Sequence, residues 1–206
     1  MIKIWGRRTS SNVQKVLWLS DELELAYDQV DIGGPFGGTD SDTYRKLNPN
    51  GLVPTIDDDG FVLWESHSIV RYLASVHAPG TLWPTDPKVR ASAERWMDWQ
   101  LTVLGPASRP VYWSLIRTEE ADRDLHALAA ARDTLSAAFA ILDGALADTA
   151  YVAGDVFTMG DIPVGIMVYR WFAMPVERED YPNLKRWYDA LTERPGYREH
   201  IMKPLE

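Results

Sequence analysis

Arg7-Arg8-Thr9-Ser10-Ser11-Asn12 sets two cations, three hydroxyls and an amide in six consecutive positions, and the chain then runs straight into an amphipathic stretch. A helix cap accounts for part of this cluster. Ser11-x-x-Gln14 fits a capping box, which would use Ser11 at the helix end and leave Ser10 with no structural task. The N-terminus of a helix carries unpaired N–H groups and the positive end of the dipole, so it favours an anion, a thiolate included. Arg7 or Arg8 would add positive potential. The cluster therefore points to stabilisation of a negative charge by hydrogen-bond donors.

Glu65-Ser66 opens the third helix directly after a strand. As folding chemistry the pair is an ordinary cap by Ser66, with Glu65 favourable near the dipole. As a site it is a clamp for a zwitterion: Ser66 takes a carboxylate on its hydroxyl and N–H, and Glu65 takes an ammonium. Arg109, Tyr112, Trp113 and Ile116 share one helical face, either as core packing beside a snorkelling arginine or as the wall of an acceptor pocket. Thr158-x-x-Asp161, with Phe157 and Ile162 at the staple positions, reads as a capping box with Asp in the reciprocal role, worth about 1 kcal/mol. The histidines at 67, 77, 126 and 200 show no ligand spacing, so no metal site is expected.

Composition narrows the classes. The 206 residues suffice for one large domain or two small ones, and a hydrophobic share of 46% supports a sizeable core. The net charge is −9 and the pI about 4.9, without the basic face that nucleic acid or an anionic membrane requires. There is no cysteine, so any sulfur chemistry must be brought by a ligand. Met-Ile-Lys-Ile-Trp at the start reads as a strand rather than a signal peptide, and no apolar run reaches the length of a membrane span. The expected location is the cytoplasm.

The elements that would position these residues follow from periodicity. Residues 1–5 and Tyr27 to Ile32 are strands, separated by a helix with Val13, Val16, Leu17, Ser20 and Leu23 inward. "GGPFGGTDSD" is a flexible loop, and a short helix from Tyr44 ends at Asn48-Pro49. Val53 to Ile56 and Phe61 to Trp64 form a hairpin turning at Asp59-Gly60, with Pro54 implying an edge strand or a cis peptide. The next helix points Ile69, Val70, Leu73 and Val76 inward. Three prolines and a glycine between 77 and 88 make the best linker. Beyond it come helices at 88–117, bent around Gly105-Pro106 and Pro110, then at 122–147, 159–173 and 183–194, with a short one after Gly196. The domain division expected is 1–78, a linker at 79–87, and 88–206.

In this order the segments resemble the cytosolic glutathione transferases over essentially the whole chain. "SSNVQKV" is similar to the Ser-type active-site segment of theta- and zeta-like members, "NPNGLVP" to the loop before the family's cis-proline, and "LWESHSIVRYL" to its γ-glutamyl clamp. "AGDVFTMGDIPV" resembles the family's capping box and staple, and "YPNLKRWYDALTERPGY" its C-terminal helix pair. Overall the chain is most similar to bacterial theta/nu-like members. The resemblance implies a thioredoxin-like α/β N-terminal domain, an all-α C-terminal domain and a homodimer. It implies glutathione as co-substrate, no metal, and a conjugation of its thiolate to a small hydrophobic electrophile in a detoxifying role. Ser10 then matches the thiol-contacting serine, with Asn12 as a second candidate. Val53, across a cis bond to Pro54, would pair with the cysteinyl unit, Glu65 and Ser66 would hold the γ-glutamyl end, and Ser11 and Thr39 would complete the glutathione site. Arg109, Tyr112 and Trp113 would line the electrophile pocket. The family's usual polar side chain before Val-Pro is replaced by Leu52, and the partner of the glycyl carboxylate stays open. A zeta-like isomerase, whose signature is half present, and a non-catalytic glutathione-binding module are the alternatives.

Overall fold

The structure is a computed structural model and describes residues 1–206. Strand β1 (Ile2–Trp5) buries Ile2 and Ile4 and sits in the middle of a four-stranded sheet of order β2-β1-β3-β4. It pairs in parallel with β2 (Tyr27–Val30) and antiparallel with β3 (Thr55–Asp58), with Ile4 opposite Ile56. A parallel pair needs a crossover, and α1 (Ser11–Glu22) supplies it. A short α2 (Asp42–Leu47) is capped by Ser41, whose hydroxyl accepts from the Tyr44 N–H at 3.2 Å.

The hairpin pairs β3 with β4 (Phe61–Trp64) through a turn at Asp59 and Gly60, both at positive φ. Pro54 has no N–H to give the ladder, so the first arm starts at Thr55, not at Val53 as expected. The Val53–Pro54 peptide is cis. Helix α3 (Ser66–His77) packs on α1, burying Ile69, Val70, Leu73 and Ala74. Val76, expected inward, is 51% exposed. The buried pairs are i, i+4 (Ile69 with Leu73, Val70 with Ala74), which turns position 76 off the stripe.

The rest is helical. Asp86 caps α4 (Pro87–Trp99), its carboxylate accepting from the Lys88 N–H at 2.7 Å. The rod then passes through a π-helical stretch (Gln100–Leu104), α5 (Gly105–Tyr112) and a second π stretch (Trp113–Arg117). The irregularity expected at Gly105-Pro106 and Pro110 thus takes the form of wide turns on either side of α5. A Cβ on Gly105 would stand 2.9 Å from the Gln100 carbonyl oxygen, so this winding requires glycine. Helix α6 (Leu125–Ala145) is long and apolar enough to meet the length and composition of a membrane span, contrary to the sequence reading. It packs on α5 and on α8 (Pro182–Thr192), burying Leu135, Phe139 and Leu142, and carries Arg132 and Asp133. Helix α7 (Asp161–Ala173) is buried without a break from Asp161 to Val168, as the central helix of a bundle must be. A short α9 (Pro195–His200) follows Arg194.

Two features tie the layers together. Asp161 is fully buried, and its carboxylate accepts from the Thr158 N–H (2.9 Å) and hydroxyl (3.3 Å), the Val152 N–H (3.0 Å) and the Trp187 indole (3.0 Å). The capping role expected of it is present, and two further segments hang on the same group. Burial pushes its pKa up to about 6 against the pull of these four donors, so it is ionised at neutral pH. Trp18 of α1 lies among helical-domain side chains, edge-on to Tyr197 with ring centroids 4.8 Å apart. Beside it Glu22 receives both Nε (2.9 Å) and Nη2 (2.6 Å) of Arg194.

Candidate active site

The turn before α1 decides which serine does what. The Ser10 N–H donates to the Arg7 carbonyl at 3.1 Å, and the Ser10 carbonyl accepts from the Gln14 N–H at 2.9 Å. Ser10, rather than Ser11, is therefore the N-cap, and the helix starts one residue earlier than the Ser11–Gln14 box requires. That box does not form. The Ser10 side chain makes no capping bond, so its hydroxyl stands at the helix N-terminus with its donor unspent.

Asn12 is exposed one position into the helix, and its Oδ1 is taken from behind. Lys15, one turn on and 2% exposed, donates to it at 3.0 Å, and the Ser66 hydroxyl approaches it at 3.4 Å. With the oxygen so occupied, the amide NH2 of Asn12 is the part left to donate outward. Lys15 also lies 3.5 Å from Ser66 Oγ and 2.9 Å from His67 Nε2, and the same His67 nitrogen is 2.9 Å from Gln100 Oε1. Burial lowers the Lys15 pKa to about 7; Arg170 pushes the same way and Glu65 opposes. Burial, helped by the Lys15 charge, lowers His67 to about 3, so the imidazole is neutral. Its Nδ1 has no partner.

Glu65 is the N-cap of α3, exposed and at a positive φ of 74°, and Ser66 is buried as the first helical residue. Ser66 thus joins the Asn12–Lys15 cluster across the gap between α1 and α3. Thr39, Arg7 and Val53 converge on Gly33: a Cβ there would meet Thr39 Cγ2 at 3.3 Å and Arg7 Nη1 and Val53 Cγ1 at 3.5 Å.

In front of these groups lies a cleft of about 810 Å³ between the sheet layer and the helices. Ser10, Ser11 and Asn12 line one side, and Arg109, Tyr112 and Trp113 the other. Glu65, Ser66, Val53, Pro54 and Thr39 are outside this lining; Ser66 adjoins it through Asn12, and Val53 and Thr39 meet Arg7 of the lining around Gly33. Among the lining residues that escaped sequence reasoning are the charged Lys15, Arg117 and Arg170. Lys15 has a weak local signal, its i, i+3 spacing from Asn12. Arg170 comes from α7 and has none.

Two family models match the chain, one on either side of the 77–125 segment that carries Arg109, Tyr112 and Trp113. "Glutathione S-transferase, N-terminal domain" matches residues 9–76, and "Glutathione S-transferase, C-terminal domain" matches 126–190. Glutathione S-transferase GstB of Escherichia coli K12 is 43% identical over 207 residues, covering all of both chains. Glutathione S-transferase 1 of Manduca sexta is 29% identical and covers 92% of this chain and 87% of its own. Among solved structures, the theta class glutathione S-transferase of Xanthomonas axonopodis pv. citri with glutathione bound superposes with a TM-score of 0.94. It is 48% identical and covers 100% of this chain and 99% of its own.

Proposed function

This chain belongs to the glutathione S-transferase family, and on that premise we propose that the Ser10 hydroxyl and the Asn12 amide together hold the glutathione sulfur as a thiolate. The observation that carries this reading is the occupation of Asn12 Oδ1 by Lys15, which leaves an amide donor beside the unspent Ser10 hydroxyl. A free thiol titrates near 8.5, so only a few per cent is thiolate at neutral pH. Two charge-assisted hydrogen bonds and the dipole of α1 match the roughly 2.7 kcal/mol needed to lower that by about two units. Neither residue acts as a base. The thiol proton leaves to solvent, and the sulfur attacks an electrophile held against the helical wall at Arg109, Tyr112 and Trp113.

The rest of the tripeptide is held apart from the chemistry. The Ser66 N–H and hydroxyl take the γ-glutamyl carboxylate and Glu65 its ammonium, while the Val53 backbone pairs with the cysteinyl unit beside Pro54. Ser11 and Thr39 complete the site, and Arg7, which lies against the Gly33–Gly34 loop, is the partner for the glycyl carboxylate. Glutathione bound in the Xanthomonas relative supports the same ligand here. Lys15 is a positioning residue in this reading.

We read the division of the chain as 1–78, 79–87 and 88–206, supported by α3 ending at His77 and α4 starting at Pro87. We read the protein as a cytoplasmic homodimer of a bacterium, serving detoxification. The exposed apolar side chains of Phe61, Trp64, Leu101 and Val103 support self-association.

The test is a titration of bound glutathione followed by thiolate absorbance, with kcat/KM measured in parallel. Ser10→Ala and Asn12→Ala should each raise the pKa of the bound thiol and lower kcat/KM about tenfold to a hundredfold, with little change in glutathione affinity. A pH profile unmoved by both substitutions would sink the assignment.

A further inference from the structure

The cleft has the wrong charge for this protein. The chain carries 30 acidic residues against 21 lysines and arginines, yet the cleft is lined by Arg7, Lys15, Arg109, Arg117 and Arg170 against a single acidic side chain, Glu206. Arg109, Arg117 and Arg170 have no carboxylate within ion-pair distance, although five other arginine–carboxylate pairs are spread over the molecule. Nor does any of the three guanidinium groups donate a hydrogen bond to the protein. Arg170 is half-buried and rests on the Tyr112 ring, 4.5 Å from its centroid. Burial holds its pKa below the usual arginine range; Tyr112 opposes this and the charge of Arg117 adds to it. Lys15 in turn feels Arg170. Three cations line one wall, and the acid that shares the cleft, Glu206, is within ion-pair distance of none of them, its backbone oxygen taking the Tyr112 hydroxyl.

Such an arrangement costs stability unless an anion relieves it. Glutathione's own carboxylates are provided for on the other side of the cleft: Ser66 stands at the N-terminus of α3, and Arg7 lies against the Gly33–Gly34 loop. The three arginines of the helical wall are left for the second substrate. Guanidinium forks match a planar carboxylate or a sulfonate better than an ammonium would. Tyr112 and the 58% exposed Trp113 set aromatic faces beside them.

Resting on the transferase reading of this cleft, we propose that the electrophile is a flat, unsaturated molecule bearing a carboxylate or sulfonate, which Arg109, Arg117 and Arg170 bind while Tyr112 and Trp113 receive its apolar body. The apolar part accords with a hydrophobic electrophile, and the charge is the added requirement. The cations also draw the substrate in, since a focused positive potential raises the association rate of an anion and loses that effect as salt rises.

The probes are 4-chloro-3,5-dinitrobenzoate and its neutral methyl ester. In both the thiolate sulfur forms a bond to the ring carbon bearing chlorine, and the C–Cl bond breaks with its electron pair leaving as chloride. Each kcat/KM is divided by the uncatalysed rate constant with glutathione, which removes the difference in intrinsic reactivity. The acid should exceed the ester at least tenfold by this measure, and the excess should shrink with added sodium chloride. Arg117→Gln and Arg109→Gln, both at exposed positions, should lower the acid-to-ester ratio severalfold, and the double variant more. Calorimetric binding of the two presynthesised S-conjugates supplies a second readout that needs no turnover: the carboxylated conjugate should bind more tightly, and Arg117→Gln should narrow the gap. Equal acceleration of acid and ester, or equal binding of the two conjugates, overturns the proposal and leaves the transferase reading intact. Failure of glutathione itself to bind overturns the transferase reading, and the proposal with it.

Discussion

Lys15 is the residue whose placement has most to say about the trade between stability and activity. An ammonium buried among Asn12, Ser66 and His67, with Arg170 nearby, is held near pKa 7 against an ordinary value of 10.5. The folded chain therefore binds fewer protons than the unfolded chain between about pH 7 and 10.5. Its stability rises with pH across that window, and below pH 7 the full cost of the buried charge applies. Lys15→Met should accordingly raise the melting temperature at pH 6 by at least about 3 °C, the shift that ~1 kcal/mol gives in a chain of this size. The gain should fade toward pH 10. The same variant should raise the pKa of bound glutathione, because Asn12 loses its orienting donor. A melting temperature lower than wild type at pH 6 would show that Lys15 holds the fold together instead. Glu65→Ala and Ser66→Ala carry a different expectation: contacts to the remote γ-glutamyl end are made equally in ground and transition states, so KM for glutathione should rise about tenfold with kcat nearly unchanged. An unaltered KM would remove both residues from the site. Ser10 stood out in the sequence because a capping box would use Ser11, whereas Asn12 and Glu65-Ser66 drew their weight from the family resemblance. Lys15 did not stand out, because its burial comes from α3 and the π stretch at Gln100, both distant in sequence.

At the scale of elements, the strands and the longer helices lie where the sequence put them; the loop at 33–42 holds a 3-10 turn at Gly34–Phe36, the helix expected at 88–117 is divided by π stretches, and the other differences lie at element ends. Helix α1 starts at Ser11, inside the polar cluster, because the turn from Arg7 to Ser10 fixes the cap one residue before the box pattern would. No periodicity argument contains that turn. The same limit applies to Thr158-x-x-Asp161. The motif announces a cap, but Val152 and Trp187 reach the carboxylate from a loop and from α8, and only the folded chain brings them there. Asp161→Ala would leave the Thr158 and Val152 N–H groups and the Trp187 indole without an acceptor inside the core. The cost should be about 3 kcal/mol or more, well above that of a lost surface cap. Chemical denaturation measures it directly, and a loss near 1 kcal/mol would reduce Asp161 to a cap alone. The inward stripe of α3 was legible as far as Leu73. Beyond it, Ala74 rather than Val76 faces the core, and a small apolar residue outcompetes a larger one there by angle alone.

For the whole molecule, α1 is the decisive element because it has two neighbours with separate claims on it. One side packs on α3, and the other meets α7 and α9, where Trp18 fits over Gly165 and Gly196. A Cβ on Gly165 would stand 2.9 Å from Leu191 Cδ1 and 3.1 Å from Trp18 Cη2, so Gly165→Ala should cost about 1–3 kcal/mol through overpacking. Arg194→Ala should cost about 2–3 kcal/mol, since Glu22, 12% exposed, would lose its bidentate partner and keep only the Trp18 indole at 2.7 Å. Both variants should still melt in one transition; two separated transitions would show that the halves unfold independently. The Trp18 anchor also bears on how such a chain can be rebuilt by recombination. The Pro-rich stretch at 79–87 looks like a natural crossover point, yet a chimera joined there would inherit α1 from one parent and its socket, Gly165, Gly196 and Arg194, from the other. Parents that differ at Trp18, Glu22 or those socket residues would yield hybrids with a defect at the base of α1, the helix whose opposite end presents Ser10 and Asn12. The tolerable exchanges are those that carry α1 along with the helices that grip it.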